Sequence, residues 1–478
     1  MRRARDDVDT KKVLVRVEHG CTPRQEHFAQ PHNRCERGQL RPKRPRRYGI
    51  CREPAPVKHK PRVVLYSPGM VGFGHIRRNA SIAQGLLSST LQPVIVMIAE
   101  AWQAGAIPMP AGIDCVTLPA LRKEDDGVPH ARHLQLPDEE LVAFRARVIQ
   151  SAITALEPDA LIVDHLPLGA GRELHRTLQH ARKREHSRCV LGMRDVQQDA
   201  STMRRTWSEQ GYVDVVQSCY DAIWIYGDPL VFDAVREYDV LAKVADKVRY
   251  VGYLDQRPRL ELAEAAAAPL LDQLPEGRLL LCEVGGGHDG GPLAEAFALA
   301  RWPADCTGVI VTGPYMPEDT RRRLYEIARR RPRMRVVEFM PDTAPLMQRA
   351  DRVVSMGGYN TMCEVLSFEK HALIVPRVSP KPEQWIRAQR MRELGLVHVL
   401  HPDRLSPRAL SRWLERDLGA PPASRRIVDV GALPRVRNLL AELIGPAAAP
   451  ASRTIRAIAP GWEDVLGNRP RRARLRAG

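Results

Sequence analysis

The sequence lacks several features that would assign it to a common class of protein. Aromatic residues make up only 5% of its 478 residues, which argues against a surface of stacked rings for single-stranded nucleic acid. No stretch approaches the roughly 20 uninterrupted apolar residues that cross a membrane, and no apolar segment follows the charged N-terminus as in a secretory signal. The nine cysteines include no C-x-x-C pair, so we expect a reducing cytosol, without a disulfide framework or a simple zinc site.

Positive charge is in excess, but the excess is confined to the two ends of the chain. The net charge is +17, and residues 1–61 hold 17 basic and 7 acidic side chains while residues 446–478 hold 7 and 2. The intervening 62–445 hold 49 and 47 and are nearly neutral. We interpret both ends as disordered, solvated basic segments, with anionic membrane or nucleic acid as the alternative partner. We do not expect specific recognition of nucleic acid.

Between these ends, short apolar and β-branched runs alternate with helical stretches, which is typical of parallel βαβ units. The runs predicted to be strands are Val63–Ser67, Pro93–Ala99, Cys115–Leu118, Ala160–Asp164, Val190–Asp195, Ala222–Tyr226, Val248–Tyr253, Arg278–Val284, Gly308–Thr312, Arg335–Phe339, Arg352–Ser355, Ala372–Pro376 and Val397–Leu400. A proline-containing stretch at 255–277 interrupts the alternation and is predicted to be a linker. The sequence therefore predicts an α/β fold with two Rossmann-like parallel-sheet domains, 62–254 and 278–445, that face each other across a cleft.

The first predicted strand leads into the glycine-rich segment Ser67–Arg78. Gly69, Gly72 and Gly74 permit a tight turn and close approach of the backbone, and the following helix presents its N-terminal amides. His75 lies at this strand-to-helix turn, at the carboxyl edge of a sheet, where α/β proteins bind ligands. A helix N-terminus should lower the pKa of His75, so we predict a catalytic base or a phosphate contact; the alternative is a histidine that only caps the loop.

A second glycine-rich loop follows the first strand of the second domain. Gly285, Gly287 and Gly290 satisfy the pattern G-x-G-x-x-G, which alone is a weak sign of a dinucleotide site. Such a site also needs an acidic residue at the end of the next strand to bind ribose, but that strand ends in Thr312 and Asp305 precedes it. The sequence therefore disfavours NAD and predicts a glycine loop that can bind a diphosphate.

A third segment, Ala350–Glu364, contains Gly357 and Gly358 after a strand and places Glu364 near the start of the next helix. A carboxylate in the first turn is stabilised by the helix dipole whatever its role. The functional alternative is that Glu364 accepts hydrogen bonds from two vicinal ribose hydroxyls.

This third segment, together with Phe339–Asp342 and Lys381–Trp385, resembles the C-terminal donor-binding domain of glycosyltransferase family 28. That family includes the lipid II N-acetylglucosaminyltransferase of peptidoglycan synthesis and the plant monogalactosyldiacylglycerol synthase. The resemblance extends over about residues 63–420. It implies a fold of two Rossmann domains (GT-B) and a nucleotide-sugar donor bound by the C-terminal domain. It also implies inverting transfer of a hexose or N-acetylhexosamine that needs no metal and no other cofactor.

The resemblance also implies roles for individual residues. In the implied donor site, the nucleoside diphosphate is bound by Gly285, Gly286 and Gly287 at the diphosphate, Met340 at the nucleobase, Gly358 and Thr361 near the phosphates, and Glu364 at the ribose. The hydroxyls of the transferred sugar are bound by Glu383 and Gln384. The family has two glutamines at this last pair, so the glutamate leaves the identity of the sugar open. Gly72, Gly74 and Arg78 are assigned to an acceptor or phosphate loop. Arg78 and the run Asp164–Gly169 resemble a bacterial subgroup of predicted glycosyltransferases.

Sugar transfer requires that a leaving diphosphate be neutralised and that an acceptor hydroxyl lose its proton. Helix N-termini over the glycine loops can neutralise the diphosphate, and a base from the opposite domain can remove the proton. His75 and Asp164 are the predicted catalytic residues because both follow N-domain strands. Asp195 is a third candidate; its alternative is an ion pair with Arg194 or another arginine.

Two other functions remain open at the level of the sequence. The first is a nucleotide-sugar 2-epimerase, which can use the same fold, and the second is a non-catalytic protein that binds a nucleotide sugar or a polyanion. For a glycosyltransferase the acceptor is undetermined, and a lipid-linked acceptor is one candidate. The expected location is the cytoplasm, either free or at the inner face of the membrane through the basic ends.

Overall fold

The computed structural model describes residues 60–69, 73–100, 105, 107–123, 129–184 and 186–445. The two basic ends lie outside the described residues, apart from Lys60 and Pro61, and so does Gly72. In the part that is described, no helix is both long enough and apolar enough to cross a membrane.

The N-terminal domain is built on one parallel sheet. Its strands are β1 (Arg62–Tyr66), β2 (Val94–Glu100), β3 (Ile113–Leu118), β6 (Ala160–Asp164), β7 (Arg188–Arg194), β8 (Ala222–Tyr226) and β9 (Val248–Tyr250), with a separate antiparallel pair β4 (Leu121–Lys123) and β5 (Pro129–Ala131). The order in the sheet is β3-β2-β1-β6-β7-β8-β9. Its helices are α1 (Gly74–Leu87), α2 (Asp138–Leu156), α3 (His175–Arg182), α4 (Ala200–Glu209), α5 (Tyr212–Cys219), α6 (Ala234–Glu237) and α7 (Asp239–Ala242).

The C-terminal domain repeats this architecture with a second parallel sheet. Its strands are β10 (Arg278–Glu283), β11 (Cys306–Val311), β12 (Met334–Val337), β13 (Arg352–Ser355), β14 (His371–Ile374) and β15 (His398–Val399), in the order β12-β11-β10-β13-β14-β15. The remaining helices are α8 (Leu260–Leu271), α9 (Gly291–Leu299), α10 (Glu318–Arg329), α11 (Ala344–Arg349), α12 (Tyr359–Ser367), α13 (Glu383–Glu393), α14 (Pro407–Glu415), α15 (Ser424–Ile427) and α16 (Ala432–Ile444). The predicted strands are all confirmed, with ends that differ by at most three residues.

Burial explains why the strands could be recognised as apolar runs. Every residue of β6 and of β8 is buried, because helices cover both faces of a parallel sheet. The same holds for β11. The short β4 and β5 pair was not predicted because strands of three residues carry no period to detect.

Two segments differ from the predicted domain limits. The stretch 255–277 contains helix α8, which packs on α11 of the C-terminal domain. Helix α16 lies within the predicted C-terminal domain, but it packs on α1 of the N-terminal domain, and the Arg188 Nε donates to the carbonyl of Leu443. The amphipathic pattern of a helix indicates that one face is buried, but it does not identify the element that covers this face.

Candidate active site

Two pairs of residues, His75 with Asp164 and Glu283 with Glu364, lie where the strand order of their sheet reverses. That point is between β1 and β6 in one sheet and between β10 and β13 in the other. The loops on either side of such a point diverge and leave a crevice at the carboxyl edge, where α/β proteins bind ligands. His75 follows β1 and Asp164 ends β6, whereas Glu283 ends β10 and Glu364 lies in the helix after β13.

The structure brings His75 and Asp164 together. The Nδ1 atom of His75 is 2.6 Å from Oδ2 of Asp164. Arg78, one turn further along α1, donates from Nε to Oδ1 of the same carboxylate at 2.9 Å and from Nη2 to Oδ2 at 2.6 Å. Nη2 of Arg78 also lies 2.9 Å from Nδ1 of His75. Because an ionised carboxylate only accepts hydrogen bonds and the contact with Asp164 is shorter, we assign the proton of His75 to Nδ1, which donates it to Asp164. The Nε2 atom of His75 is then unprotonated and can accept a proton.

The electrostatics keep this pair as a neutral imidazole beside a carboxylate. Burial lowers the pKa of His75, with help from the charges of Arg78 and Arg194, and outweighs Asp164, which raises it. Burial opposes ionisation of Asp164, but Arg78 and His75 together lower its pKa well below the usual range. The sequence predicted the direction for His75 from the helix N-terminus, whereas the main cause is burial.

Only part of the predicted acceptor or phosphate loop can be located. Gly72 lies outside the described residues, and the carbonyl of Gly74 accepts a hydrogen bond of 3.0 Å from Nδ2 of Asn360 in α12. Arg78 was assigned to the same loop, but its side chain is 2% exposed and lies against Asp164. Because the buried guanidinium of Arg78 is hydrogen-bonded to Asp164, we assign Arg78 to positioning this carboxylate.

Asp195, the third candidate base, forms a buried ion pair between the domains. Arg387 of α13 donates to it at 2.7–2.9 Å, and the hydroxyl of Tyr253 donates at 2.8 Å. Both partners of the ion pair are 1% exposed or less. Its predicted alternative was an ion pair with an arginine, and the structure shows that arginine to be Arg387, from the other domain.

The glycine loop Gly285–Gly287 packs against the segment after β11. Gly287 has φ +94°, and a Cβ added there would lie 2.3 Å from the carbonyl oxygen of Thr312, so only glycine fits. Asp305, in contrast, precedes β11 and pairs with Arg278 at the opposite end of the sheet. The glycine loop therefore has no ribose-binding acid at the position that an NAD site requires.

Below this loop, Glu283 and Glu364 form a buried pair of carboxyls, 5% and 3% exposed. Burial raises the pKa of Glu283 to about 7, against Arg77 and the hydroxyls of Thr343 and Thr361, which favour its ionised form. Burial and the neighbouring Glu283 also raise the pKa of Glu364. One oxygen of Glu364 lies 3.4 Å from the Thr343 hydroxyl and the other has no hydrogen-bond partner among the described residues.

The other implied donor residues are held in three different ways. Met340 is buried, and its carbonyl accepts a hydrogen bond of 3.2 Å from Arg77 of the N-terminal domain. Gly358 has open space where a side chain would be. At the start of α13, the carboxylate of Glu383 pairs with Arg377 at 2.7 Å, and Oε1 of Gln384 accepts from the Arg377 amide at 2.9 Å.

Sequence reasoning missed Arg77, Glu283, Arg377 and Arg387. Arg77 and Arg387 act across the domain interface, so no local pattern identifies them. Glu283 had a detectable signal, since an acidic residue ends an otherwise apolar strand directly before a glycine loop. Acidic residues are almost never fully buried unless they are paired. This pattern could have identified Glu283 as a candidate site residue, but it was not applied there.

Two comparisons with known proteins agree with this geometry. Residues 295–423 match the model of the glycosyltransferase family 28 C-terminal domain, a range that includes Met340, Glu364 and Gln384 but not the glycine loop. The calicheamicin glycosyltransferase CalG4 is 18% identical, with a TM-score of 0.54 over 82% of this chain and 100% of its own. UGT71G1 of Medicago truncatula, complexed with UDP-glucose, is 12% identical, with a TM-score of 0.52 over 81% of this chain and 99% of its own.

At these identities the solved structures establish the fold and nothing finer. No match was found among proteins of curated function. The lipid II and monogalactosyldiacylglycerol enzymes named with the family are not singled out by either comparison. Residues 295–423 are thus similar to the glycosyltransferase family 28 C-terminal domain, and the chain has a two-domain fold of the GT-B type.

Proposed function

We propose that this protein transfers a hexose or N-acetylhexosamine from a nucleoside-diphosphate sugar to an acceptor hydroxyl, with inversion at the anomeric carbon. The observation that carries the proposal is the contact of His75 Nδ1 with Asp164 at 2.6 Å. The lowered pKa of His75 favours a neutral imidazole, which in the assigned tautomer accepts a proton at Nε2. It faces a C-terminal domain of a donor-binding family, and the Gly74–Asn360 hydrogen bond ties the two loops together.

In the proposed reaction His75 acts as the base. Its Nε2 takes the acceptor proton while the acceptor oxygen bonds to the anomeric carbon and the bond to the diphosphate breaks. Asp164 accepts the hydrogen bond from Nδ1–H throughout and stabilises the imidazolium that forms. Asp164 is itself 1% exposed and paired with Arg78, so we assign it to positioning His75 rather than to proton removal.

The leaving diphosphate is proposed to be stabilised by backbone amides. The loop Gly285–Gly287 precedes α9, and Gly358 precedes α12, so both helices present N-terminal amides to the crevice. Such preorganised donors stabilise developing negative charge without moving. We therefore predict no metal requirement, and an excess of EDTA should leave the rate unchanged.

A panel of nucleotide sugars tests the proposed function. Purified protein is incubated with each donor, with and without a mixture of candidate acceptors, and the products are separated by chromatography. Release of nucleoside diphosphate that depends on acceptor supports transfer. Formation of an epimer without acceptor, or binding without any product, would contradict it.

We predict that Glu364→Gln weakens the binding of UDP at least tenfold. A ribose clamp makes charge-assisted hydrogen bonds worth about 1.5–3 kcal/mol each, and a tenfold loss corresponds to about 1.4 kcal/mol. Calorimetry should also show that the variant no longer distinguishes UDP from its 2′-deoxy analogue. The sequence alternative, a carboxylate in the first helical turn, is wrong, because Glu364 is the sixth residue of α12. An undiminished preference for UDP would mean that Glu364 is only a buried carboxyl beside Glu283.

The same variant should be more stable than the wild type when empty, at neutral pH. The pKa values of Glu283 and Glu364 are higher in the folded protein than in the unfolded chain. The folded protein therefore binds more protons than the unfolded chain between about pH 4.5 and 7, and its free energy of unfolding falls as pH rises through this range. Removing one carboxyl should flatten this decline in denaturant unfolding. Glu326→Gln, at an exposed position of α10, serves as the control and should leave the decline unchanged.

We further propose that the basic ends are not part of the donor site. Because residues 62–445 are nearly neutral, a 62–478 protein should fold and bind UDP as tightly as the full chain. Any attachment of the ends to the cytoplasmic face of a membrane would be electrostatic. Each basic residue near the surface would contribute roughly 1 kcal/mol of binding free energy, and salt would weaken the attachment. Calorimetry on both proteins tests this, and loss of UDP affinity on truncation would contradict it.

A further inference from the structure

Arg194 differs from the other arginines that meet at the cleft. Arg78 is held by Asp164, Arg387 by Asp195, and Arg377 by Glu383. The guanidinium of Arg194 makes no hydrogen bond or ion pair with any described residue, and its Nε is buried without a partner. It is the last residue of β7, two residues after Gly192, which pairs in register with Asp164.

Arg194 has no carboxylate of its own among the described residues. Arg78 and Arg387 act on it with like charge, and Glu383 and Asp195 act with opposite charge. Both of those carboxylates are already held by other arginines. Burial, with the two neighbouring arginines, lowers the pKa of Arg194 to about 10, so the side chain is still a cation at neutral pH.

A second unpartnered polar atom lies beside it. His165 has a left-handed backbone with φ +72°, a conformation that few non-glycine residues adopt and that is concentrated at functional sites. Its Nδ1 is buried without a hydrogen-bond partner, and its ring centroid is 5.3 Å from that of His75. The backbone amide of His165 donates to the carbonyl of Gly192 at 2.7 Å, two residues before Arg194 on β7, and the charge of Arg194 helps to lower the pKa of His165.

We propose that Arg194, with His165 beside it, binds an anionic oxygen group of a substrate next to His75. A guanidinium can bind phosphate or carboxylate through two parallel hydrogen bonds, and burying one without such a partner is unfavourable. The group could belong to the diphosphate of the donor or to an anionic acceptor, and both present the same chemistry. The inference rests on the proposed function for its role in transfer, but the binding itself can be tested without turnover.

The test compares wild type, Arg194→Gln, Arg194→Lys and the control Arg205→Gln, an exposed position on α4. Calorimetry measures UDP binding in one arm, and inorganic phosphate binding in the absence and in the presence of saturating UDP in the other. If the anion is the donor diphosphate, Arg194→Gln weakens UDP binding at least tenfold. If it is an acceptor group, UDP binding is unchanged, and the phosphate bound by UDP-saturated wild type is lost in the variant. Arg194→Lys should recover part of either effect.

Thermal unfolding of the empty proteins gives an independent readout. A structural arginine would lower the melting temperature when removed, whereas removal of a buried cation without a carboxylate of its own should leave it unchanged or raise it. Equal binding of UDP and of phosphate by wild type and Arg194→Gln, or equal losses in Arg205→Gln, would overturn the proposal. If wild type binds phosphate through Arg194 but does not bind UDP, the proposed function fails and the anion site stands.

Discussion

Replacement of His75 by alanine should lower the turnover of sugar transfer by about a hundredfold or more, the usual effect of losing a general base. UDP affinity should change little, because His75 belongs to the N-terminal domain and the proposed donor site to the C-terminal domain. The pair with Asp164 at 2.6 Å and the unprotonated Nε2 give the physical reason. Steady-state rates and calorimetry on the same preparation separate the two effects.

Two further variants sharpen this prediction. Asp164→Asn removes the charge that stabilises the imidazolium, so it should lower turnover in the same direction as His75→Ala without adding to it in the double variant, because the two groups act as a unit. His186→Ala, at an exposed position, should leave turnover unchanged. If UDP affinity collapses in His75→Ala while turnover at saturation is normal, His75 is a phosphate contact and not the base.

Replacement of Arg387 by methionine should destabilise the protein by about 3–5 kcal/mol, the cost of leaving one partner of a buried ion pair uncompensated. Asp195 would be the charge left behind, fully buried between the domains. Denaturant unfolding measures the loss. The double variant with Asp195→Asn should be less destabilised than Arg387→Met alone, because it no longer buries an unpaired carboxylate.

The same helix supplies a matched control. Arg390 also reaches across the interface, to Glu237 at 3.0 Å, but the two side chains are 45% and 39% exposed. An exposed pair contributes about 0–1 kcal/mol, so Arg390→Met should have little effect. A loss in Arg387→Met no larger than in Arg390→Met would show that burial does not set the strength of this contact.

The Arg387–Asp195 ion pair between the domains also lies close to the proposed donor site, so variants of this pair should affect function as well as stability. Helix α13 carries Glu383 and Gln384 at its start and Arg387 one turn later, so the ion pair with Asp195 fixes the end of the helix that the proposed sugar would contact. The ring of Tyr359 in α12 lies between Arg78, at 5.5 Å, and Arg387, at 5.7 Å. The base and the proposed donor helices therefore share one packed cluster.

The strands and the edge of each sheet could be predicted from the sequence because the physics is local. Runs such as Ala160–Asp164 and Ala222–Tyr226 are apolar throughout because both faces of the sheet are covered. The sequence placed His75 and Asp164 after two N-domain strands, at the carboxyl edge of a sheet, and the structure shows that these strands, β1 and β6, are adjacent. The assignment of His75 as base and Asp164 as positioning residue could not be predicted from the sequence. It depends on the contact with Arg78 and on burial, which lowers the pKa of His75.

The remaining features depend on contacts between distant parts of the chain. Asp195 and Arg387 are 192 residues apart, and each alone has the pattern of an ordinary charged residue. The packing of α16 on α1 requires the folded arrangement of both domains, and the pairing of Glu283 with Glu364 requires that of the C-terminal domain. Local periodicity identifies a buried face but not the partner that covers it.

Hydrogen exchange with and without UDP tests whether the donor site lies at the β10 and β13 crevice. If it does, UDP should slow exchange in peptides covering 283–292 and 355–367, which contain the glycine loop and the start of α12. Exchange at α10, on the outer edge of the C-terminal sheet, should not change. Slower exchange only in the N-terminal domain, or no change anywhere at saturating UDP, would contradict a donor site at the β10 and β13 crevice.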